Sequence, residues 1–211
     1  MNQEVFIKKL ESTYRPGEPI FAREILQLFP NYSRMQINRY VDLSLENNEL
    51  TQYSKGVYSI PKQTPFGQRS TTAEEVVTKR FISDKKEVYG TYGGLKLLNA
   101  FALTTQVPNV IEIISNNESS RGRNYRIGKR SYIVKKSRCK IDKDNVDAYT
   151  LLELMNSIKK GDEVSNNIIK QFVADKNITY KQISKLLPFF PNKASANLLK
   201  SGVLLDGTTR E

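Results

Sequence analysis

Two proline-containing breaks divide the first sixty residues into short segments, and they limit what this chain can fold into more than any other feature. The sequence Arg-Pro-Gly-Glu-Pro occupies residues 15–19, and Pro30 interrupts the chain again. Proline ends helices because its ring clashes with the preceding turn and it has no amide hydrogen to donate. Apolar residues at helical spacing precede each break: Val5, Phe6 and Leu10, then Ala22, Ile25, Leu26 and Phe29. The pattern predicts two short helices, over residues 2–14 and 21–29.

A third helix is predicted after the second break, beginning with a capping box. Ser33 is followed three positions later by Gln36, so the hydroxyl can cap the first turn while the amide returns to the cap. Ile37, Val41 and Leu45 repeat every four residues and predict a buried face. The opposite face holds side chains of the types that hydrogen-bond to guanine and adenine edges: Arg34, Gln36, Asn38 and Arg39.

A β-hairpin is predicted directly after this helix. Two β-prone runs, 50–53 and 57–60, flank Ser54-Lys55-Gly56, where glycine permits the positive φ of a tight turn. Three helices followed by a hairpin is the order of a winged helix-turn-helix, which we expect over residues 1–61. The predicted DNA-binding residues are Ser33, Arg34, Gln36, Asn38, Arg39 and Lys55, the last at the tip of the wing.

The same residues also have a plainer interpretation. Polar side chains on an isolated helix usually do no more than solvate it, Gln36 can be occupied as a cap, and Arg34 can contact phosphate alone. DNA binding is favoured because the short helix, the tight turn, the capped polar-faced helix and the basic-tipped hairpin occur together.

The rest of the chain predicts a second, mixed α+β domain. Residues 62–70 are rich in turn-forming types and predict a linker, and the domain follows over residues 71–211. Residues 110–114 are almost continuously apolar, which is typical of a central strand. The other predicted strands cover 124–127 and 131–136, and the predicted helices cover 72–82, 95–101, 145–159, 164–175, 179–187 and 193–200, the last three as a C-terminal helical bundle.

The net charge of +11 is concentrated in one segment. Residues 119–140 contain no acidic side chain and nine basic ones: Arg121, Arg123, Arg126, Lys129, Arg130, Lys135, Lys136, Arg138 and Lys140. We expect a second basic patch that binds DNA flanking the main site, or else an RNA or a partner's surface. Strand alternation predicts that Tyr132 and Val134 face the core, with one positive face made by Arg126, Lys129, Arg130, Lys135 and Lys136. The alternative is that these charges only protect a sheet edge from aggregation.

The residue types present narrow the possible chemistry. The chain has no histidine and a single cysteine, Cys139, which excludes Ser-His and Cys-His nucleophiles and the usual zinc sites. Residues 90–94 match neither of the glycine-rich phosphate-binding motifs, and Glu112 lacks the lysine two positions later that restriction-nuclease cores need. A carboxylate-bound magnesium site stays open. We expect no catalytic residues, no metal, no cofactor and no enzyme.

The location of the chain is also predicted from what its sequence contains. The first residues, Met-Asn-Gln-Glu-Val, have neither the basic start nor the apolar run of a signal peptide. No stretch approaches the roughly 20 apolar residues of a membrane span. One cysteine cannot form an internal disulfide, which fits a reducing compartment. We therefore expect a cytoplasmic protein that does not bind membranes.

Four stretches carry a resemblance to a known family. They are residues 55–61 (Lys-Gly-Val-Tyr-Ser-Ile-Pro), 89–95 (Tyr-Gly-Thr-Tyr-Gly-Gly-Leu), 104–109 (Thr-Thr-Gln-Val-Pro-Asn) and 115–121 (Ser-Asn-Asn-Glu-Ser-Ser-Arg). Over roughly residues 1–160 the chain resembles the AbiEi-type antitoxins of type IV abortive-infection toxin–antitoxin systems. The resemblance implies a winged helix that binds inverted repeats in its own promoter and represses the operon. It also implies a C-terminal domain that opposes a nucleotidyltransferase toxin, usually without a stable complex.

Three hypotheses follow. The leading one is an autoregulating antitoxin repressor that binds repeated half-sites on double-stranded DNA as two copies or cooperatively. The second is a transcription factor of another operon with no toxin partner, and a neighbouring nucleotidyltransferase gene would distinguish the two. The third is a nucleic-acid enzyme or its accessory module, which turnover of labelled DNA or RNA with magnesium would test.

Overall fold

The structure is a computed structural model that describes residues 2–65, 67–159 and 166–203. It is a mixed α+β structure, which confirms the fold class predicted from the sequence at that level. The chain divides into two compact units, Met1–Val76 and Val77–Glu211. Across the described ranges, no helix combines the length and the apolar character that crossing a membrane requires.

The first unit packs short helices on a small antiparallel sheet. In its described residues the helices are α1 (Gln3–Thr13), α2 (Ala22–Leu28) and α3 (Arg34–Glu46), and the strands are β1 (Ile20–Phe21), β2 (Thr51–Ser54), β3 (Val57–Ser59), β4 (Lys62–Thr64) and β5 (Gly67–Arg69). One sheet has the order β1-β3-β2, and a separate pair joins β4 to β5. A further helix, α4 (Ala73–Val77), begins at the end of this unit, and a capping box joins Thr72 to Glu75 at its start.

The core of the first unit follows the predicted helical spacing closely. Fully buried side chains come from each of these helices and from the sheet: Phe6, Leu10, Ile20, Ile25, Ile37 and Leu50. The Phe6 ring stacks on the rings of Phe29 and Tyr40, with centroid distances of 5.0 and 5.6 Å. Val5 departs from the prediction, since it is 52% exposed at the margin of the α1 apolar stripe.

Residues 62–70, predicted as a linker, contain the β4–β5 hairpin. Lys62 pairs with Arg69 and Thr64 with Gly67 across the hairpin. The Thr64 hydroxyl donates to the Gly67 carbonyl oxygen at 2.7 Å, and Gly67 has a φ of +103° that disfavours other residues. The turn-forming residues of this segment therefore close a hairpin. Residue 66, also part of the predicted linker, lies outside the described residues.

The second unit combines a four-stranded sheet with a helical layer. The described helices are α5 (Gly94–Ala100), α6 (Val146–Ser157), α7 (Asn166–Asp175), α8 (Tyr180–Leu186) and α9 (Asn192–Lys200), with a π-helix at Thr78–Ile82 and a 3₁₀ turn at Leu187–Phe189. The strands are β6 (Gly90–Gly93), β7 (Val110–Ser115), β8 (Arg123–Ile127) and β9 (Arg130–Lys136). Positions 164 and 165 of the predicted helix 164–175 lie outside the described residues.

The sheet of the second unit has the order β6-β7-β9-β8, and β7 runs parallel to β9. The central position predicted for residues 110–114 is confirmed, and the strands predicted over 124–127 and 131–136 pair as the β8–β9 hairpin. Gly90 lies in strand β6, where a Cβ would collide with the backbone carbonyl oxygens of Phe81 and Ile114. The glycines of residues 90–93 thus belong to a closely packed strand.

Helix α6 is buried nearly all round. A helix with one inward face would bury Leu152 and Met155, yet Leu151 and Leu154 are as fully buried. The reason is that α6 packs against α5, α8, α9 and β6 at once. An amphipathic pattern cannot reveal this arrangement, because most positions of α6 are apolar and the few polar ones include the buried Glu153.

Candidate nucleic-acid interface and polar cavity

Helix α3 begins with the predicted capping box. The Gln36 amide donates to the Ser33 hydroxyl oxygen at 3.2 Å, and the Ser33 amide donates to Oε1 of Gln36 at 3.0 Å. Each side chain therefore accepts a hydrogen bond from the backbone amide of the other residue, which leaves fewer hydrogen-bonding groups for a ligand. Of the six DNA-binding residues predicted from the sequence, these two fix where the helix starts.

The exposed face of α3 is basic at its N-terminal half and acidic further along. Arg34, Asn38 and Arg39 are exposed as predicted. They line a shallow groove together with Met35, Asp42, Leu43 and Glu46. Met35 is 81% exposed and was missed in the sequence, although positions 35, 38, 39, 42 and 46 share one helical face. One face of α3 thus carries hydrogen-bond donors and an exposed methionine near its start, followed by two acidic side chains.

Lys55 lies exposed at the turn between β2 and β3, as predicted. Gly56 has a φ of +75°, and its carbonyl oxygen accepts a 2.9 Å hydrogen bond from the Ala22 amide. This bond ties the turn to the start of α2, so the position of Lys55 is defined by the fold. Within the described ranges no carboxylate pairs with its ammonium group.

The β4–β5 hairpin brings four further exposed polar side chains to the surface of the first unit, and the sequence did not predict them as part of a binding surface. Gln63 faces Gln68 across the hairpin, as Lys62 faces Arg69. Two-stranded ribbons with such side chains are one of the shapes that DNA grooves admit. Neither strand contains an apolar residue, so no alternation was available to predict them.

The second basic segment follows strands β8 and β9. Tyr132 and Val134 are buried as predicted. Successive residues of a strand point to opposite faces, so Lys135 and Lys136 begin on opposite sides of the sheet. Arg126 pairs with Ser131 of β9, so its side chain lies on the same face of the sheet as that of Lys135. Arg130 lies on the other face, with Lys136. The prediction of one positive face is therefore wrong.

Acidic residues outside this segment partly compensate its charge. Lys135 Nζ lies 2.7 Å from Glu112 Oε2, in the neighbouring strand β7. Arg123 and Arg138 lie 3.7 and 3.8 Å from carboxylate oxygens of Glu118 and Glu153. These three cations therefore have acidic partners within their own unit. Sequence counting missed the partners because they lie just before the segment or far from it along the chain.

Glu118 anchors the loop that leads into β8. Burial alone would raise the pKa of this carboxyl group, but hydrogen bonds from the Ser120 amide, the Tyr125 hydroxyl, the Ser119 amide and the Ser120 hydroxyl outweigh it and lower the pKa to about 2. Its side chain is 1% exposed. Glu118 is thus a buried anion that holds the loop closed.

A cavity of about 620 Å³ lies in the second unit, bounded by α5, α6 and the ends of strands β7 and β9. Two carboxylates line it, Glu112 and Glu153, together with an apolar wall of Leu95, Leu98 and Ile114. The cations that line it outnumber the acids and are Arg121, Lys135, Lys136, Arg138 and Lys159. Four of these five belong to the basic segment, so the cavity gathers a large part of its charge.

Glu153 is the least expected group in this cavity. Its side chain is 5% exposed, and burial raises the pKa, as does the charge of Glu112, against the opposing effects of Asn156 and Arg138. Asn156 Nδ2 donates to Oε1 at 3.2 Å, but Oε2 receives no hydrogen bond from the described residues. Its ion-pair partner among the described residues, Arg138, is too distant for a hydrogen bond at 3.8 Å.

One comparison with known proteins gives a match and another gives none. The model of DUF6088, a family of unknown function, matches residues 8–186, which includes all of the first unit beyond residue 7 and most of the second. No curated protein matches the chain.

Proposed function

We propose that this chain, which belongs to the DUF6088 family of unknown function, is a sequence-specific DNA-binding repressor whose first unit is a winged helix-turn-helix. The observation that carries the proposal is α3, whose start is fixed by the Ser33–Gln36 box and whose exposed face presents Arg34, Asn38 and Arg39. The order of three helices and the β2–β3 hairpin supports it.

Helix α3 would enter the major groove with its N-terminal half. Arg34 and Arg39 are suited to guanine edges and Asn38 to adenine, while the methyl group of Met35 would meet thymine methyls. Asp42 and Glu46 would repel phosphates, so the far half of the helix stays clear of the DNA. Lys55 would contact a phosphate. Because the fold holds its turn in place, this contact would fix the position of the protein along the DNA without selecting particular bases.

Two copies on repeated half-sites would supply the specificity that one helix lacks. A single helix with three free base-reading side chains discriminates among few base pairs, and a second copy multiplies the discrimination. Footprinting upstream of the gene should therefore show paired protected segments. A single footprint at saturation, with a one-to-one complex in solution, would exclude this arrangement.

The antitoxin role is proposed on the resemblance to AbiEi-type antitoxins. It supports autoregulation of a toxin–antitoxin operon in the cytoplasm and antagonism of a nucleotidyltransferase toxin without a stable complex. Co-expression with a nucleotidyltransferase encoded beside this gene should restore growth. We expect the Arg34→Ala/Arg39→Ala variant to restore growth but to lose repression. Repression without any growth rescue would instead favour a transcription factor of another operon.

Selection of bound duplexes from a random pool tests the DNA-binding proposal. The unmodified chain should enrich one motif, and Arg34→Ala/Arg39→Ala should not. Lys9→Ala is the control, because Lys9 is exposed on α1, away from the proposed face. Equal enrichment by the double variant would refute the assignment of α3, and magnesium-dependent cleavage of the pool would favour a nucleic-acid enzyme.

A further inference from the structure

We propose that α3 pairs antiparallel with α3 of a second copy of this chain. The observation that carries the proposal is the order of charges along its exposed face, where Arg34 and Arg39 are followed by Asp42 and Glu46. DNA binding would give the two arginines a role, but it gives none to the two acids. The pairing needs no DNA, so it can be tested whether or not α3 reads bases.

The helix itself does not account for these charges. A helix favours acidic side chains in its first turn and basic ones in its last. Helix α3 has the reverse order, since it begins at Arg34 and ends at Glu46. Asp42 and Glu46, four positions apart on one face, also repel each other. Within the described residues, neither acid has a cation at ion-pair distance, and neither arginine has a carboxylate.

Two antiparallel copies of α3 would compensate all four charges. Arg39 and Asp42 are equally far from the point between residues 40 and 41, so Arg39 of each copy would face Asp42 of the other. Arg34 and Glu46 match to within one residue, which is about 1.5 Å along the axis and within the reach of an arginine. Because a two-fold axis repeats every contact, these two complementary pairs occur twice in the dimer.

The same face provides the apolar contact of a helix pair. Met35 is 81% exposed and Leu43 is partly exposed, and both line the shallow groove beside the charged residues. Seating Met35 in the groove of the second copy removes its side chain from water. A pair of helices this short buries less than the roughly 1,200 Å² at which stable interfaces begin. The dimer is therefore weak, and it should dissociate on dilution and in high salt.

Pairing also has a consequence for DNA binding, and this consequence rests on the proposed function. Both uses of the face depend on Arg34 and Arg39, so a copy that is paired through α3 cannot place the helix in a major groove. The chain would then bind its operator only as copies released from the pair.

Sedimentation equilibrium of the full chain without DNA, over a range of protein concentrations, tests the pairing. The unmodified chain should form a dimer. Arg39→Asp places two acids opposite each other and Asp42→Arg places two cations there, so each variant alone should weaken the dimer on the order of tenfold. An equimolar mixture of the two variants should recover the dimer, because every altered charge then faces its opposite. Recovery would also show that both variants are folded.

Matched controls separate this pairing from net charge. Lys9→Asp and Glu11→Arg make the same changes of charge at exposed positions of α1 and should dimerise as the unmodified chain does. The proposal is overturned if the unmodified chain stays monomeric, if the controls weaken the dimer equally, if both α3 variants dimerise normally, or if their mixture does not recover the dimer. A chain that dimerises as expected but enriches no DNA motif would refute the proposed function and leave the pairing intact.

Discussion

The proposed binding face of the first unit has few basic side chains, whereas segment 119–140 of the second unit has nine. The basic side chains of the first unit are nevertheless the more accessible to an external partner. Arg34, Arg39 and Lys55 are exposed, and no carboxylate among the described residues pairs with them. In the segment 119–140, three cations meet acids of their own unit, and four line its cavity. The density of charge along a sequence therefore does not rank binding surfaces.

The difference lies in how each set of charges is held. In the first unit the backbone is fixed by caps and a tethered turn, while the cations remain in solvent. In the second unit three of the cations are instead paired with the carboxylates of Glu112, Glu118 and Glu153. Substitutions in the two regions should therefore differ in kind, affecting DNA affinity in one and folding stability in the other.

The largest expected effect compares matched double variants on the selected operator. Arg34→Ala/Arg39→Ala should cost on the order of 2–6 kcal/mol of binding free energy if both contacts are to bases. Arg126→Ala/Arg130→Ala removes equal charge from the second unit and should at most lower the salt slope by about 2. Fluorescence anisotropy against salt measures both. An equal loss of affinity in the two variants would place the second segment in base recognition.

The next effect is on the stability of the second unit. Glu118→Gln removes the negative charge and one of the two oxygens that accept these four hydrogen bonds, and it should cost about 2 kcal/mol of unfolding free energy near pH 7. The pKa of Glu118 lies below its ordinary value of 4.5, so its contribution is complete above pH 4.5 and disappears as pH falls towards 2. Urea unfolding of both proteins should converge over that range. A constant difference down to pH 2 would mean that the charge of Glu118 has no part in it.

Glu153 should show the opposite dependence. Burial raises its pKa, so the folded state binds this proton more tightly than the unfolded state does. The stabilisation from that proton is present below pH 4.5 and is lost as pH rises through the raised pKa. Glu153→Gln should therefore raise the thermal midpoint at pH 8 relative to the unmodified chain. A lower midpoint would show that pairing with Arg138 outweighs the cost of burial.

A smaller effect separates two adjacent lysines. Lys135→Ala leaves the half-buried Glu112 without its 2.7 Å partner and should cost about 1 kcal/mol of unfolding free energy. Lys136→Ala should change it by no more than about 0.5 kcal/mol, because Lys136 has no described ion pair. Chemical unfolding measures both. Equal costs would contradict the ion-pair account of this strand.

The sequence predicts local structure well where side chains specify it locally. The Ser33–Gln36 box and the central strand at residues 110–114 are predicted correctly, because each depends on residues within a few positions. What it could not predict depends on pairing across the fold. Glu112 meets Lys135 only because β7 and β9 run side by side, and α6 is buried all round only because helices from later in the chain cover it.

The same distinction between local and long-range structure applies to the candidate binding residues. Exposure of Arg34, Asn38 and Arg39 followed from helical spacing, whereas the cavity joins residues from α5, two strands and α6. No short motif marks such a constellation. Residues 62–70 are a third case, because the polar residues of β4 and β5 give no alternation from which a hairpin could be predicted.

The smallest expected effect concerns that hairpin. Lys62 and Arg69 lie across from each other in β4 and β5, exposed and without a described carboxylate partner. If the hairpin lies along the DNA backbone, each alanine substitution should lower the slope of log affinity against log salt by about 0.9, with the base preference unchanged. Gln63→Ala, next to Lys62 on the same strand and uncharged, should leave the slope as it is. A salt slope that stays constant in Lys62→Ala and Arg69→Ala would return residues 62–70 to the role of a connector and leave Lys55 and α3 as the whole DNA contact of the first unit.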